Sequence, residues 1–587
     1  MTIRRAPDFI STGNASMIQI GIHNTGYFSA AALFIDGAPV FASPEERLSR
    51  VKYDNGFPHK SIEEGLRLNK LSLDDVDEVV LSWNAAINAA GRYRAGFSRW
   101  VPHPMQRLYS NLNNILPKLT DKNITEFEQV ARYGGRKPLT FRFINHHLAH
   151  IGMSWYTSPF DESAVFIADG YGERATTVYA HARPDGSLRT IRELTYPHSL
   201  GEFYATFTEF IGFRPEMDEW KLMGAAAYGD WRPYYERVKS LIRVSDDGGF
   251  ELDLNYFDFF NYDTQGYFSR KFITLFGEPA TGRELSKRDY DIAASVQKVF
   301  EETVFSLLCW LARETGSANL CLGGGSVMNC LMNGRIREHT PFKELYIPFA
   351  PDDMGNALGA VLFCNKTRYP WLRSYCGRSW TPDEAAAILD KYKVRYERMD
   401  DARLFGFVAG RLAAQKTVGW FSGAMEFGQR ALGNRSILGD PRNAGMKDTI
   451  NRAIKYREAY RPFAPSILDE KGGEWFEDYC YTPYMEKALR FKDAAKTRAA
   501  AVVHADGTGR LQSVREADNP RYYRLIKAFG EATGVPILLN TSFNLNGEAI
   551  TYSPEDALRT FMTSGLDVLV MENCVVEKGS HSDRGAP

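Results

Sequence analysis

The sequence predicts an α/β protein with a large N-terminal domain and a smaller C-terminal one. Three observations carry this: short apolar runs alternate with helical patterns, two strand–glycine turn–helix segments stand at 319–336 and 345–363, and the texture changes between about 365 and 400. Its 587 residues, 44% hydrophobic and 24% charged, are ordinary globular composition and exclude wholesale disorder. With 71 Lys+Arg against 72 Asp+Glu, the chain lacks the electrostatic footprint of a dedicated nucleic-acid binder. Seven scattered cysteines without a CxxC pair argue against a disulfide framework or zinc ribbon and fit a reducing compartment. No run approaches the roughly 18–20 apolar residues of a membrane span. The expectation is a cytoplasmic protein with neither membrane nor nucleic acid as partner.

In chain order, residues 1–16 read as a loose leader to the strand MIQIGI at 17–22. Asp36-Gly37 then marks a hairpin turn, and EVVLSW at 78–83 is a buried strand. Residues 85–140, with arginines at 92, 94, 99 and 107, read as a helical insertion with a solvated basic face. FRFINHHLAH passes from strand into helix at 141–150, and SAVFIADGYGERATTVYA at 163–180 is a second hairpin. The aromatic segment 254–272 has no clean periodicity; its rings either pack an irregular lobe or line an acceptor pocket. Residues 291–316 form the strongest amphipathic helix, ended by Gly316. The C-terminal part holds one polar and basic motif at 419–466 and a second at 536–550.

His146 and His150, four apart on a helix, share one face with the spacing of a metal pair, and Asp169 at a strand end offers a carboxylate. Such a set suits Fe(II), Mn(II) or Zn(II); the competing account is histidines satisfied by backbone groups or capping a helix. GGGS at 323–326 follows a strand and opens a helix, either as a phosphate site, where backbone N–H groups favour anions, or as a plain tight turn; it fits neither the P-loop nor the dinucleotide fingerprint. Asp352 and Asp353 precede a similar helix start, as helix caps or as metal or phosphate ligands. Between 419 and 468, Arg430, Arg435, Arg442, Arg452, Lys455, Arg457 and Arg461 interleave with glycines, prolines and apolar residues, unlike a solvated charged face. Together with Ser542 and Asn544 they predict a nucleotide-phosphate pocket.

HHLAH, ADG, GGGSVMN, PDDMGNALGA, EFGQRALGNRSILGDPR, YRPFAPSIL and LLNTSFNLNGE occur here in one order. That series resembles the ATP-dependent O-carbamoyltransferases of the tobramycin carbamoyltransferase and nodulation-protein-U type, over about residues 17–575. The resemblance implies an actin/Hsp70/sugar-kinase-like domain at 17–370, of the tRNA threonylcarbamoyltransferase kind, and a YrdC-like α/β domain at 371–587. It implies that carbamoyl phosphate and ATP give carbamoyl-adenylate in the second domain. The first domain, with an Fe(II)-type divalent metal and Mg²⁺ as a further candidate, would pass the carbamoyl group to a hydroxyl of a small-molecule natural product or modified saccharide. It further implies His146, His150, Asp169 and Asp353 as metal ligands, and Gly323, Gly324, Gly325 and Asn329 as the nucleotide-phosphate loop. Arg430, Lys455, Arg461, Arg510 and Ser542 would hold carbamoyl phosphate and ATP.

One departure stands out. Relatives commonly carry a histidine just before the small-residue strand, where this chain has Tyr27-Phe28-Ser29-Ala30. The expectation is that His23 or Tyr27 helps activate the acceptor, because an alcohol needs a base within hydrogen-bond reach. The competing readings are a sugar-kinase-like phosphotransferase, which leaves the arginine-rich motif unused, and a non-catalytic nucleotide-binding module.

Overall fold

The computed structural model describes residues 16–84, 126–131 (as backbone), 138–261, 266–282, 284–457 and 461–579. The leader 1–15 and most of the insertion, with its four arginines, lie outside them. The chain opens with an antiparallel meander of β1 (Ile18–Asn24), β2 (Ser29–Ile35) and β3 (Ala38–Pro44). Asp36 and Gly37, at φ 52° and 78°, close the β2–β3 hairpin with the left-handed pair that a two-residue turn requires. β4 (Glu78–Leu81) lies parallel to β1. β5 (Glu126–Ala131) forms the edge, antiparallel to β6 (Leu139–Ile144), which in turn runs parallel to β4. The order is β3-β2-β1-β4-β6-β5.

A second sheet repeats this plan. β7 (Ser163–Ala168), β8 (Ala175–Ala182) and β9 (Leu188–Thr195) form another meander. After a small hairpin, β10 (Ile242–Val244) and β11 (Phe250–Leu252), come β12 (Asn319–Gly323), parallel to β7, and β13 (Glu344–Tyr346), parallel to β12. The order β13-β12-β7-β8-β9 is again a meander extended by parallel strands. The two sheets thus share one plan, a meander extended by parallel strands, as the expected duplicated domain requires.

Helices His146–Trp155 and Asn356–Asn365 pack against each other between these sheets. Gly152 and Gly359 make that approach close, since a Cβ on Gly152 would stand 2.0 Å from the Gly359 carbonyl oxygen. The amphipathic helix runs over Lys287–Thr315 with a Ser286 capping box, and Gly316 ends it at φ 67°. The segment 254–272 packs mainly as a lobe: Phe257 and Phe272 are buried with Phe203, Phe207 and Phe210.

The C-terminal part is built on one mixed sheet, flanked by helices. Its strands are β14 (Glu397–Arg398), β15 (Val418–Phe421), β16 (Arg435–Gly439) and β17 (Ala464–Leu468), then β20 (Gln512–Val514), after the separate pair β18 (Ala488–Arg490) and β19 (Thr508–Arg510). β21 (Ile537–Ser542), β22 (Val568–Met571) and β23 (Cys574–Glu577) complete it in the order β14-β23-β22-β15-β16-β21-β17-β20. Side chains alternate faces as a strand dictates. Val418, Trp420, Val568 and Val570 meet helices Asp401–Ala413 and Pro520–Thr533, while Phe421, Leu569 and Met571 feed the opposite core.

Candidate active site

Asn145 starts the histidine helix: its side chain accepts from the Leu148 amide as N-cap. Glu173 accepts from the Asn145 side chain and the His146 amide, fixing the first turn. One helical turn then sets His146 and His150 side by side, their Nε2 atoms 3.1 Å apart and both rings buried. Asp169, just past the end of β7, brings Oδ2 to 3.1 Å from His146 Nε2 and 2.9 Å from His150 Nε2. Asp353, on the short turn before helix Asn356–Asn365, brings Oδ1 to 3.3 Å from both nitrogens. Ligand atoms of these four residues lie within 4.8 Å of one another. Two imidazoles and two carboxylates converging in a buried cleft form a donor set that fits a divalent metal of the Fe(II), Mn(II) or Zn(II) kind. The Asn356 amide stands 3.1 Å from His150 Nε2, behind the cluster.

The local electrostatics follow from this crowding. Burial disfavours the imidazolium forms of His146 and His150, but the two aspartates overcome it and raise both. Burial and the Asp353 charge push the Asp169 carboxyl up, while hydrogen bonds from His146 and His150 outweigh them and hold it below its usual range. His147 points off this face, packs edge-on to His146, and is held neutral by burial, its pKa lowered to about 3. Asp352 is turned away from the cluster onto Gln429, and burial followed by the Asp353 charge pushes it up to about 7.

His23 is fully buried, with Nδ1 2.8 Å from Ser82 Oγ and Nε2 3.1 Å from Thr25 Oγ1 and 3.3 Å from Asp353 Oδ2. It braces the cluster from behind. The Tyr27 hydroxyl donates to Glu216 Oε1 at 2.9 Å and lies 2.8 Å from the Tyr171 hydroxyl. Burial, then Tyr171 and Glu216, push this phenol far above its ordinary value, so Tyr27 is a hydrogen-bond donor and not a base.

The glycine loop closes over the same centre. Gly324 sits at φ 89°, and a Cβ there would stand 2.2 Å from the Ala168 carbonyl oxygen. The Gly325 amide donates to Asp169 Oδ1 at 3.2 Å. Gly323 ends β12, and Asn329 caps helix Cys330–His339 while its amide pairs with Gln297. Asn329 and Gly325 wall a cavity of about 210 Å³ together with Asp169, Asp353, Tyr27 and Tyr171.

A second cavity of about 190 Å³ is walled by Arg430, Arg461, Arg510 and Ser542, with Lys52 and Lys447. Among the described residues neither Arg430 nor Arg510 forms an ion pair. Burial and the facing Arg510 push Arg430 down to about 9. Two guanidiniums without an ion-pair partner among the described residues, in one cleft, are an arrangement that a polyanion stabilises. Arg461 stacks on Trp220, 4.0 Å from the ring centroid. Lys455 stands behind the wall and donates to the Asn544 carbonyl at 2.9 Å, to Asn544 Oδ1 at 2.7 Å and to the Ser542 hydroxyl at 3.3 Å. Its role in this structure is to hold the Ser542–Asn544 turn. Arg435 is buried on the carbonyls of Ser422, Gly423 and Asn434, and Arg442 pairs with Asp440, so both serve the scaffold.

The two cavities share Tyr53, Trp220, Met223, Gln429 and Arg430 as walls. Sequence reasoning missed Glu202, Glu216, Glu219 and Trp220; the acid-rich run PEMDEW at 215–220 was the available signal. Among the described residues no helix is long and apolar enough to cross a membrane.

Family profiles described as Carbamoyltransferase N-terminus and Carbamoyltransferase C-terminus match residues 19–362 and 409–578. The chain is 37% identical to an uncharacterised protein of Synechocystis sp., over 96% of this chain and 97% of that one. It is 34% identical to nodulation protein NolNO of Sinorhizobium fredii, over 94% and 79%. It is 31% identical to the 3'-hydroxymethylcephem-O-carbamoyltransferase of Amycolatopsis lactamdurans, over 46% and 51%. Matched in both halves, in order, and along nearly its whole length by one relative, the protein belongs to the carbamoyltransferase family.

Proposed function

We propose that this carbamoyltransferase works in two steps: it makes carbamoyl-adenylate from carbamoyl phosphate and ATP, water releasing inorganic phosphate from the first and the resulting carbamate oxygen displacing pyrophosphate from the second, then passes the carbamoyl group to a hydroxyl of a small-molecule natural product or modified saccharide. The adenylating domain is 371–587, of YrdC-like kind, and the transferring domain is 17–370. The observation that carries the reading is the pair of cavities with common walls, one holding two unpaired arginines and the other the His–Asp cluster. Adenylation brings two polyanions together, and Arg430 and Arg510 offset their repulsion at fixed positions. Ser542, whose hydroxyl donates to Asn544 Oδ1 within the turn that Lys455 braces, lines the same cavity and would turn its O–H to a bound anion. The common wall residues set the two cavities side by side, so the labile mixed anhydride has a short distance to travel.

His146, His150, Asp169 and Asp353 would hold the metal, with Fe(II) the proposed ion. When bound, it supplies a Lewis acid for a carbamoyl or phosphate oxygen. The Gly325 amide fixes Asp169, and His23 fixes Asp353. A relative named for carbamoyl transfer to a hydroxymethyl group supports a hydroxyl acceptor here. A phosphotransferase would leave the arginine cavity without a task.

The test is product identity. Incubated with ATP and carbamoyl phosphate, the enzyme is expected to release inorganic phosphate, pyrophosphate and AMP. ADP would favour the phosphotransferase, and absence of turnover would favour a binding module. Elemental analysis of the His146→Ala/His150→Ala variant should show metal lost; full metal content would refute the ligand set.

A further inference from the structure

We propose that Glu216 is the general base that takes the proton from the acceptor hydroxyl. The proposal rests on the adenylate reading above. Transfer to an alcohol requires a proton acceptor at the reacting oxygen, and the groups that first suggest themselves are already engaged. His23 is buried, with both ring nitrogens committed to Ser82, Thr25 and Asp353. Tyr27 is a donor, and the atom it donates to is Glu216 Oε1, at 2.9 Å.

Glu216 walls the same cavity as Asp169 and Asp353, beside Tyr27 and Tyr171. The Tyr267 hydroxyl, from the 254–272 lobe, reaches Glu216 as well. Glu216 is also a non-glycine residue at φ 63°, a conformation that side chains rarely adopt and that clusters at functional positions. The Glu219 carboxylate receives the Glu216 amide and holds that backbone in place. Glu219 is therefore a positioning residue. Glu202, a further acid on this wall, is buried, and one of its oxygens has no partner; burial, followed by the charge of Glu216, keeps its proton on. Tyrosine hydroxyls thus reach Glu216 beside a Glu202 that keeps its proton, so the two carboxyl groups stand in unlike settings, as proton transfer needs.

In the step, the acceptor O–H proton moves to a Glu216 oxygen. The acceptor oxygen forms a bond to the carbamoyl carbon. The bond from that carbon to the phosphate oxygen breaks, its electron pair leaving with AMP. The proton then passes from Glu216 to water as AMP departs.

The test uses the full-length enzyme with ATP and carbamoyl phosphate, and with water, trifluoroethanol or hydroxylamine as acceptor probes. ATP–pyrophosphate exchange reports the first step and an intact fold. In Glu216→Gln, AMP release to trifluoroethanol should fall about 10²–10⁴-fold, the usual worth of a positioned base. Release to hydroxylamine, whose nitrogen attacks as the free base, should be little changed, and Glu216→Asp should recover part of the loss. Undiminished release to trifluoroethanol, or an equal loss with hydroxylamine, overturns the proposal while leaving the adenylate reading intact. A wild-type enzyme that forms no pyrophosphate overturns that reading, and the proposal falls with it.

Discussion

Single side chains here trade stability for chemistry, and the trade is measurable. Arg510 is drawn down by burial, and its Nε has no partner. A buried cation without a counter-charge is a cost to folding that a bound polyanion removes. Arg510→Met is expected to raise the thermal midpoint while raising the KM for ATP about 10–100-fold, the span of one charge-assisted hydrogen bond. A variant that melts lower and keeps its KM would place Arg510 in the scaffold. Glu219 gives a pH test. Burial pushes its carboxyl up to about 7, against an unfolded value near 4.5. The native state therefore binds the proton more tightly, and stability falls as pH rises from about 4.5 to 7, then levels. Glu219→Gln removes that slope; its advantage over wild type should grow by about 2 kcal/mol across this window, seen in urea melts at pH 5 and pH 8. An advantage that does not vary with pH would contradict the assignment.

Elements place these side chains through a few tight contacts. The metal cluster needs the strand ends at Asp169 and Gly323 and the starts of two helices to meet, and Gly324 is the joint. Gly324→Ala forces a Cβ against the Ala168 carbonyl and a left-handed backbone on alanine. The expected loss is about 2–3 kcal/mol, with reduced metal content because Asp169 is displaced. Unchanged stability and metal content would show the loop to be slack. Much of this was legible in the sequence: the HxxxH spacing, the Asp-Gly hairpin and the strand–GGGS–helix unit follow from local periodicity and turn chemistry. The choice of Asp353 over Asp352 needed the family resemblance, because both precede the same helix start. What local patterns cannot supply is direction. Lys455, Arg435 and Arg442 read as phosphate clamps by composition, and only the packed structure shows each turned onto carbonyls or Asp440. Glu216 was hidden for the same reason, since its tyrosine partners come from segments more than forty residues away.

At the scale of the molecule, a near-zero net charge conceals two basins of opposite character joined by a wall. The arginine cavity draws on β19, β21 and the loop after β16's hairpin partner, and the His–Asp cavity lies at the ends of the duplicated sheets; Trp220, Tyr53 and Arg430 belong to both. The central claim is that the two act in succession on one intermediate. The most direct measurement is ATP–pyrophosphate exchange alongside AMP release, in the His146→Ala/His150→Ala and Arg430→Ala/Arg510→Ala variants. The account predicts that the histidine variant keeps exchange and loses AMP release, while the arginine variant loses both. Exchange that vanishes with the histidines, or survives without the arginines, would contradict it.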